Sequence, residues 1–195
     1  MANLDTPFGF KPVKHLSGAP WNGKANVYYI PSTDNTAVFK GDAVKSAGSA
    51  DATGKYPTVA KAAATNSIRG VVVGFGDNPN VMIQADYPLR QYRPAATAMY
   101  CLVVDDPHVI FEVQEDSVGN SITADMVGLS TDITVGSGST TTGKSAMELD
   151  SSDTATAAGQ CKILRLVDRE DNELGTNAKW EVLIIEHEML SSTDV

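Results

Sequence analysis

The stretch MYCLVVDDPHVIFEVQ (residues 99–114) decides the fold class of this chain. Two runs rich in Val, Ile, Tyr and Phe stand on either side of Asp106-Pro107, and such runs bounded by a turn signal are typical of β-strands. Many short strands at this spacing predict an all-β fold, either a single β-barrel or a jelly-roll-like sandwich. Similar runs recur at residues 26–30, 42–46, 56–60, 68–75, 81–85, 132–135, 144–149, 161–167 and 179–188.

Helical signals are weak, and two segments are typical of surface loops. The best helical candidate is KAAATNSI (residues 61–68), which is long enough for one or two turns. Residues 136–143 (GSGSTTTG) and 150–159 (DSSDTATAAG) consist mainly of small polar residues, which cannot form a core. We therefore predict that both lie at the surface between strands.

The N-terminal segment combines backbone breakers with large apolar side chains. Proline lacks the hydrogen-bond donor that a helix or a central strand needs, and glycine is entropically costly in both. The apolar side chains nevertheless argue against a free tail. We interpret residues 1–25 as an extended arm that lies over its own domain or over a neighbour, and residues 26–195 as the β domain. The residues behind this interpretation are Pro7, Pro12, Pro20, Gly9, Gly18, Gly23, Phe8, Phe10, Leu16 and Trp21.

Composition and charge restrict the function further. A chain of 195 residues with 42% hydrophobic and 20% charged residues has the composition of a globular domain. Its net charge of −9 argues against a nucleic-acid-binding surface, which needs clustered Lys and Arg. Residues 1–104 carry ten basic and six acidic side chains, whereas residues 105–195 carry five and eighteen. Two interpretations are open: the polarity orients the protein on a partner or a neighbouring copy, or the second half is simply a solvated acidic surface.

The sequence predicts neither a membrane span nor export. No apolar run approaches the ~18 residues that cross a bilayer, and the opening MANLDTPFGFKPVKH lacks the hydrophobic centre of a signal peptide. Both facts indicate a protein that folds in reducing cytoplasm. Cys101 and Cys161 lie in apolar runs and are interpreted as buried core thiols, with a disulfide between them as the alternative.

Residues 138–145 (GSTTTGKS) match the phosphate-binding pattern G-x-x-x-x-G-K-[ST]. In a true phosphate-binding loop, Lys and backbone N–H groups hold phosphates at the start of a helix. Here the segment after Lys144 soon becomes rich in Ser, Asp and Thr, and only fifty residues follow Ser145. The acidic strand end at Asp105-Asp106 also precedes the loop, where the usual order is the reverse. We therefore predict that this match arises from composition and binds no nucleotide.

Other site chemistry is sparse. Asp105, Asp106 and His108 have the residue types of a metal site, and the alternative is a turn capped by Asp, which Asp-Pro favours. Alternation along the last strand places Glu186 and Glu188 on the face opposite His187, which weakens a three-ligand site. We predict no catalytic residue, no metal and no cofactor, and therefore no enzyme.

Residues 90–94 (RQYRP) form a small basic and aromatic cluster. Arg and Tyr are enriched at the centres of protein interfaces, so this segment is a candidate contact surface. A polar loop whose Arg side chains lie along the surface is the alternative.

The order of segments resembles a family of small virion proteins. The segments are TPFGFKPVKHLSGAPWNG (6–23), NVYYIPSTDNTAVFKGDAVK (26–45), IRGVVVGFG (68–76), AMYCLVVDDPHVIFEVQED (98–116) and the last strand W-x-V-x-I-x-x-H (180–187). They resemble the head decoration, or cement, proteins of tailed bacteriophages. Most of the resemblance lies in FKGDAVK (39–45) and DDPHVIFEVQED (105–116). The resemblance covers most of the chain, and residues 136–160 are the least constrained.

The resemblance implies a β-barrel or jelly-roll-like subunit, often a homotrimer, that binds the major capsid protein on the outside of an icosahedral head and strengthens it. It implies a virion location after assembly in the host cytoplasm, and it supplies no catalytic residue. Another virion component, such as a tail protein, a head–tail connector or a host-binding β module, is the alternative. The predicted contact residues are Phe8, Phe10, Trp21, Arg90, Tyr92 and Arg93.

Overall fold

The computed structural model describes residues 3–82, 84, 86, 88–154 and 159–190. It confirms the all-β prediction, because these residues form fourteen strands and one turn of 3₁₀-helix, Ala124–Met126. The strands are β1 (Lys11–His15), β2 (Asn26–Ile30), β3 (Val38–Phe39), β4 (Ala43–Ala50), β5 (Pro57–Lys61), β6 (Gly70–Gly76), β7 (Tyr92–Arg93), β8 (Met99–Val104), β9 (Val109–Gln114), β10 (Ser130–Thr131), β11 (Ile133–Val135), β12 (Met147–Leu149), β13 (Cys161–Leu166) and β14 (Lys179–Ile184).

Two sheets dominate the architecture. The first is a closed barrel with strand order β2-β5-β4-β6-β8, in which β2 pairs antiparallel with β8 and parallel with β5. The second is a five-stranded antiparallel sheet with order β1-β9-β14-β13-β10. Two short pairs, β3-β7 and β11-β12, complete the fold. The strands on either side of Asp106-Pro107 therefore belong to different sheets, and this turn is a crossing from the barrel to the second sheet.

Alternating side chains of the barrel strands enter two different hydrophobic cores. Val44, Val72 and Val103 fill the barrel interior, whereas Ala43 and Val104 belong to the core that the second sheet covers. A strand buried on both faces needs apolar residues at nearly every position, which explains the continuous runs VVVGF and MYCLVV. A five-stranded barrel is narrow enough for side chains to fill. The two cysteines follow this division: Cys101 lies in the barrel core and Cys161 in the other, and both are free thiols, as predicted.

The centre of the second core is Trp180 on β14, whose side chain is fully buried. Its indole N–H donates to the buried carboxylate of Glu115 at 3.2 Å. The same carboxylate accepts hydrogen bonds from the Ile122 backbone at 2.7 Å and from Ser117 at 3.0 Å. These bonds satisfy a charge that is costly to bury, while burial still raises the pKa of Glu115.

The N-terminal segment lies over its own domain. β1 forms one edge of the second sheet, and Pro12 within it is tolerated because an edge strand can leave one side unpaired. Lys11 pairs with Glu112 at 3.4 Å and Lys14 with Glu181 at 2.8 Å. The basic arm is therefore held partly by acidic side chains from the second half of the chain.

Three local predictions are wrong. Residues 61–68 form the end of β5 and a turn instead of a helix. The predicted strand at 81–85 fails at its described positions, because Val81 and Met82 lie in a turn whose backbone N–H groups donate to the Asn78 carbonyl at 3.3 Å. The predicted strand at 144–149 begins only at Met147. None of the helices in the described part of the chain is long and apolar enough to cross a membrane.

Candidate interaction surfaces

Phe10, one of the six predicted contact residues, is a core residue. Its side chain is 2% exposed and packs edge-to-face on Phe111, with ring centroids 6.1 Å apart. Its backbone N–H donates to the Gly41 carbonyl at 2.9 Å. The structure thus corrects the prediction: Phe10 anchors the N-terminal segment inside the chain, because burying an aromatic ring there is more favourable than exposing it.

Arg93 is also buried, and it organises a loop instead of contacting a partner. Its guanidinium donates hydrogen bonds to the backbone carbonyls of Pro31, Asp34, Thr36 and Thr97. Burial lowers the pKa of Arg93. An arginine with this number of carbonyl partners is a structural crosslink, and the sequence alone gave no signal that distinguishes it from its neighbour Arg90.

Trp21 borders a cleft with a volume of about 770 Å³. Leu102, Val104 and Val109 contribute an apolar floor. On the rim, His15 Nδ1 lies 3.1 Å from a carboxylate oxygen of Asp106. A cleft of this size with an apolar floor and a few polar groups is able to receive a side chain or a short segment of another molecule.

Asp105, on the same rim, is committed to a hydrogen-bond network within the chain. It accepts from the Asn26 amide at 2.8 Å and from the Tyr28 hydroxyl at 2.7 Å, and Tyr28 in turn accepts from Arg69 at 2.8 Å. Burial and the hydrogen bond to Asp105 raise the pKa of Tyr28 to about 12. The His108 backbone N–H donates to Asp106 at 2.9 Å, which is the capped turn that Asp-Pro predicts. Within the described residues there is no group of three side chains suited to hold a metal.

Arg90 and Tyr92 lie in a second groove, of about 350 Å³, whose other wall is the loop at residues 140–143. The structure thus brings together the RQYRP cluster and the loop that matches a phosphate-binding pattern. Arg90 is exposed and pairs with Asp77 at 2.7 Å. Tyr92 stacks on Phe39 with ring centroids 5.4 Å apart. These two residues, unlike Arg93, are accessible for contacts.

The loop match does not produce a phosphate-binding loop. The residues after Lys144 lead into β12 and not into a helix, so the helix N-terminus that would face a phosphate is replaced by a strand. Ser145, which would hold a metal ion in such a loop, is buried and donates to Asp42 instead. Asp42 lies 3.2 Å from Lys61, and both side chains are at most 9% exposed.

The remaining predicted contact residue, Phe8, is half-buried. It precedes Gly9, whose backbone has φ +74° and passes directly over Gly41. A Cβ atom at Gly9 would lie 2.4 Å from the Gly41 oxygen and 2.5 Å from the Ser145 Cβ. Two of the segments on which the resemblance rests, residues 6–23 and 39–45, therefore contact each other closely at this crossing.

Sequence reasoning missed an acidic cluster around Glu148 on β12. One carboxylate oxygen of Glu148 is buried and has no hydrogen-bond partner among the described residues. Burial, followed by the charges of Asp5 and Asp116, raises the pKa of Glu148 to about 7. Asp5 and Asp116 are far from Glu148 in the sequence, so no local pattern predicts this cluster.

Comparisons of the chain with protein-family models, with curated proteins and with solved structures find no match.

Proposed function

We propose that this chain is a structural virion protein that decorates and stabilises the outer surface of an icosahedral phage head by binding the major capsid protein. The resemblance of residues 6–23, 39–45 and 105–116 to decoration proteins is the starting point. A structural observation supports the proposal further: these segments lie where separate parts of the fold are connected to each other. Residues 6–23 and 39–45 interlock at Gly9 and Gly41, and residues 105–116 cross from the barrel into the second sheet.

Such a construction suits a protein that must transmit load between capsid subunits. Backbone pairing between β1 and β9 and the buried pair Asp42–Lys61 tie distant parts of the chain together. The accessible members of the predicted contact set, Phe8, Trp21, Arg90 and Tyr92, are the ones we assign to capsid contact. Aromatic and Arg side chains in partly enclosed sites are the residues that most often dominate binding energy.

The proposal is tested by adding purified protein to phage heads that lack it and measuring the bound fraction after sedimentation. Trp21→Ala, and separately Arg90→Ala with Tyr92→Ala, are each expected to weaken binding about tenfold or more, as loss of an interface anchor does. Leu174→Ala is the matched control, because Leu174 is 51% exposed and lies outside both grooves. Deleting residues 1–22 is a poor test, since it removes β1 and the core residue Phe10.

Copy number distinguishes decoration from another role in the virion. A decoration protein is expected at a copy number on the order of hundreds per particle, whereas a connector or tail ring at one vertex is expected at about six or twelve. Quantitative mass spectrometry of purified particles gives this number. Absence of the chain from particles would refute both roles.

A further inference from the structure

Two lysines next to the loop at residues 140–143 are placed side by side without an ion-pair partner among the described residues. Lys40 and Lys144 are partners in a parallel β-bridge, and the Lys40 backbone N–H donates to the Gly143 carbonyl at 3.2 Å. Both side chains are exposed, and neither forms an ion pair within the described residues. Directly paired residues project to the same face of a sheet with Cβ atoms about 5 Å apart, so these like charges repel each other.

The acidic cluster of Glu148, Asp5 and Asp116 carries the opposite charge, and within the described residues it likewise has no ion-pair partner. Glu148 is raised in pKa chiefly by burial and by these two carboxylates, and one of its oxygens accepts no hydrogen bond within the described residues. Asp116 accepts hydrogen bonds from Thr134 and Ser151, but Asp5 is exposed. Asp5 therefore offers an exposed carboxylate, next to the half-buried Glu148, that a cation from outside the chain would stabilise.

The two clusters lie on the same face of one segment. Between residues 144 and 149, burial alternates: Ser145, Met147 and Leu149 are buried, Lys144 is exposed, and Ala146 and Glu148 are half-buried. Because a fully extended chain spans at most about 3.3–3.6 Å per residue, the Cα atoms of Lys144 and Glu148 are at most about 14 Å apart. The N-terminal segment runs beside it in the opposite direction, since Gly9 lies against Ser145 whereas the charge of Asp5 acts on Glu148.

A face that carries both signs side by side is complementary to itself. When two copies face each other across a two-fold axis, the cations of each copy meet the carboxylates of the other, and every contact occurs twice. A ring with more copies would instead require the two signs on different faces. Leu4, which is 70% exposed and adjacent to Asp5, supplies an apolar group that such a contact would bury.

We propose that this face, defined by Lys40 and Lys144 at one end and by Leu4, Asp5 and Glu148 at the other, binds the same face of a second copy of the chain in a two-fold pair. This two-fold pair differs from the homotrimer that the resemblance to decoration proteins implies. The proposal does not depend on binding to a capsid, and it is tested on the purified chain alone. It assigns a partner to the loop that resembles a phosphate-binding motif.

Sedimentation velocity over a range of protein concentrations, at low and at moderate ionic strength, provides the test. The wild-type chain is expected to sediment as a monomer–dimer equilibrium that weakens with salt, since exposed charges are screened. Lys40→Glu with Lys144→Glu should raise the dimer dissociation constant tenfold or more, which corresponds to about 1.4 kcal/mol. Lys24→Glu with Lys55→Glu changes the net charge equally at two exposed lysines outside the face, and should leave the dimer unchanged.

A mixing experiment makes the test specific to the proposed pairing. Asp5→Lys with Glu148→Gln should also dimerise weakly alone. Mixed with the Lys40→Glu, Lys144→Glu variant, it should restore a dimer, because the reversed charges attract. If the charge reversals perturb folding, Lys40→Gln with Lys144→Gln tests the same contact with neutral side chains of similar length. A monomeric wild type, a trimer, an unchanged dimer in the lysine variants, or a dimer equally weakened in the control variant would overturn the proposal.

Discussion

Replacing Gly9 by Ala tests whether the interlock between the N-terminal segment and residues 39–45 stabilises the fold. Two costs are expected. The first is conformational, because Gly9 has φ +74° and an L-residue in the left-handed region costs about 1–2 kcal/mol. The second is steric, because the new Cβ would lie 2.4 Å from the Gly41 oxygen and 2.5 Å from the Ser145 Cβ, and overpacking of this kind typically costs about 1–3 kcal/mol.

The chain offers matched controls that separate the two costs. Gly18 and Gly23 have φ +90° and +83°, and a Cβ at either position would meet no atom within 4 Å. Ala at these positions carries the conformational cost alone. Any gain from restricting the unfolded chain, about 0.4–1 kcal/mol, is the same in all three variants and cancels in the comparison. With this gain subtracted, Gly9→Ala should destabilise the fold by about 1–4.5 kcal/mol, and by about 1–3 kcal/mol more than either control.

Urea unfolding followed by tryptophan fluorescence measures these differences, since the fully buried Trp180 reports on the second core. Domains of this kind have a free energy of unfolding of about 5–15 kcal/mol, so the expected loss is readily measured. If Gly9→Ala and Gly18→Ala lower the unfolding free energy equally, within about 0.5 kcal/mol, the crossing at Gly41 is looser than described. The N-terminal segment would then contribute little to holding the fold together.

Two further predictions concern buried carboxylates. Lys61→Met should lower the free energy of unfolding by about 3–5 kcal/mol, because it leaves Asp42 buried without its cation. Adding Asp42→Asn should recover part of this loss. A thermal melt in which Lys61→Met costs less than about 1 kcal/mol would contradict the pairing. Burial and the charges of Asp5 and Asp116 raise the folded-state pKa of Glu148 to about 7, above its unfolded value. The stability that Glu148 contributes is therefore present below about pH 4.5 and is lost as the pH rises towards 7. At dilute concentration, the free energy of unfolding of Glu148→Gln relative to wild type should therefore rise by about 1–2 kcal/mol between pH 4.5 and pH 8. This value is smaller than the full pKa shift implies, because the side chain is half-exposed. A difference between the two proteins that does not change with pH would contradict the prediction.

The sequence predicts strands well where both faces of a strand are buried. MYCLVV matches β8 at both ends, because interior packing selects the β-branched and aromatic residues on which the prediction depends. β1 was not predicted as a strand, since KPVKH contains Pro and two Lys and little apolar surface. Its partner β9 is about a hundred residues away, so tertiary pairing and ion pairs, which no local pattern contains, decide its conformation.

Contact residues are harder to predict than strands, because residue type does not reveal exposure. Arg90 and Arg93 are three positions apart in the same short cluster, yet one is exposed and the other donates to four backbone carbonyls. The segment VMIQA is apolar enough to predict a strand, although Met82 is a buried residue of a turn and lines the Trp21 cleft. In both cases, the exposure of the residue depends on which loop packs against it, and the local sequence does not show this contact.

The charge imbalance between the two halves of the chain acquires a more specific interpretation from the structure. Part of it is neutralised within the chain, because Glu112 and Glu181 on the second sheet each pair with a lysine of β1 and with an arginine, Arg169 or Arg165. These charges stabilise the attachment of the arm and need no partner. Among the described charges without an ion pair are Lys40 and Lys144 on one side and Asp5 and Glu148 on the other. Because desolvating an unpaired charge is costly, a partner that approaches this face is favoured only if it supplies the opposite sign at both ends. The same face on a second copy meets that requirement, whereas a partner of uniform charge does not.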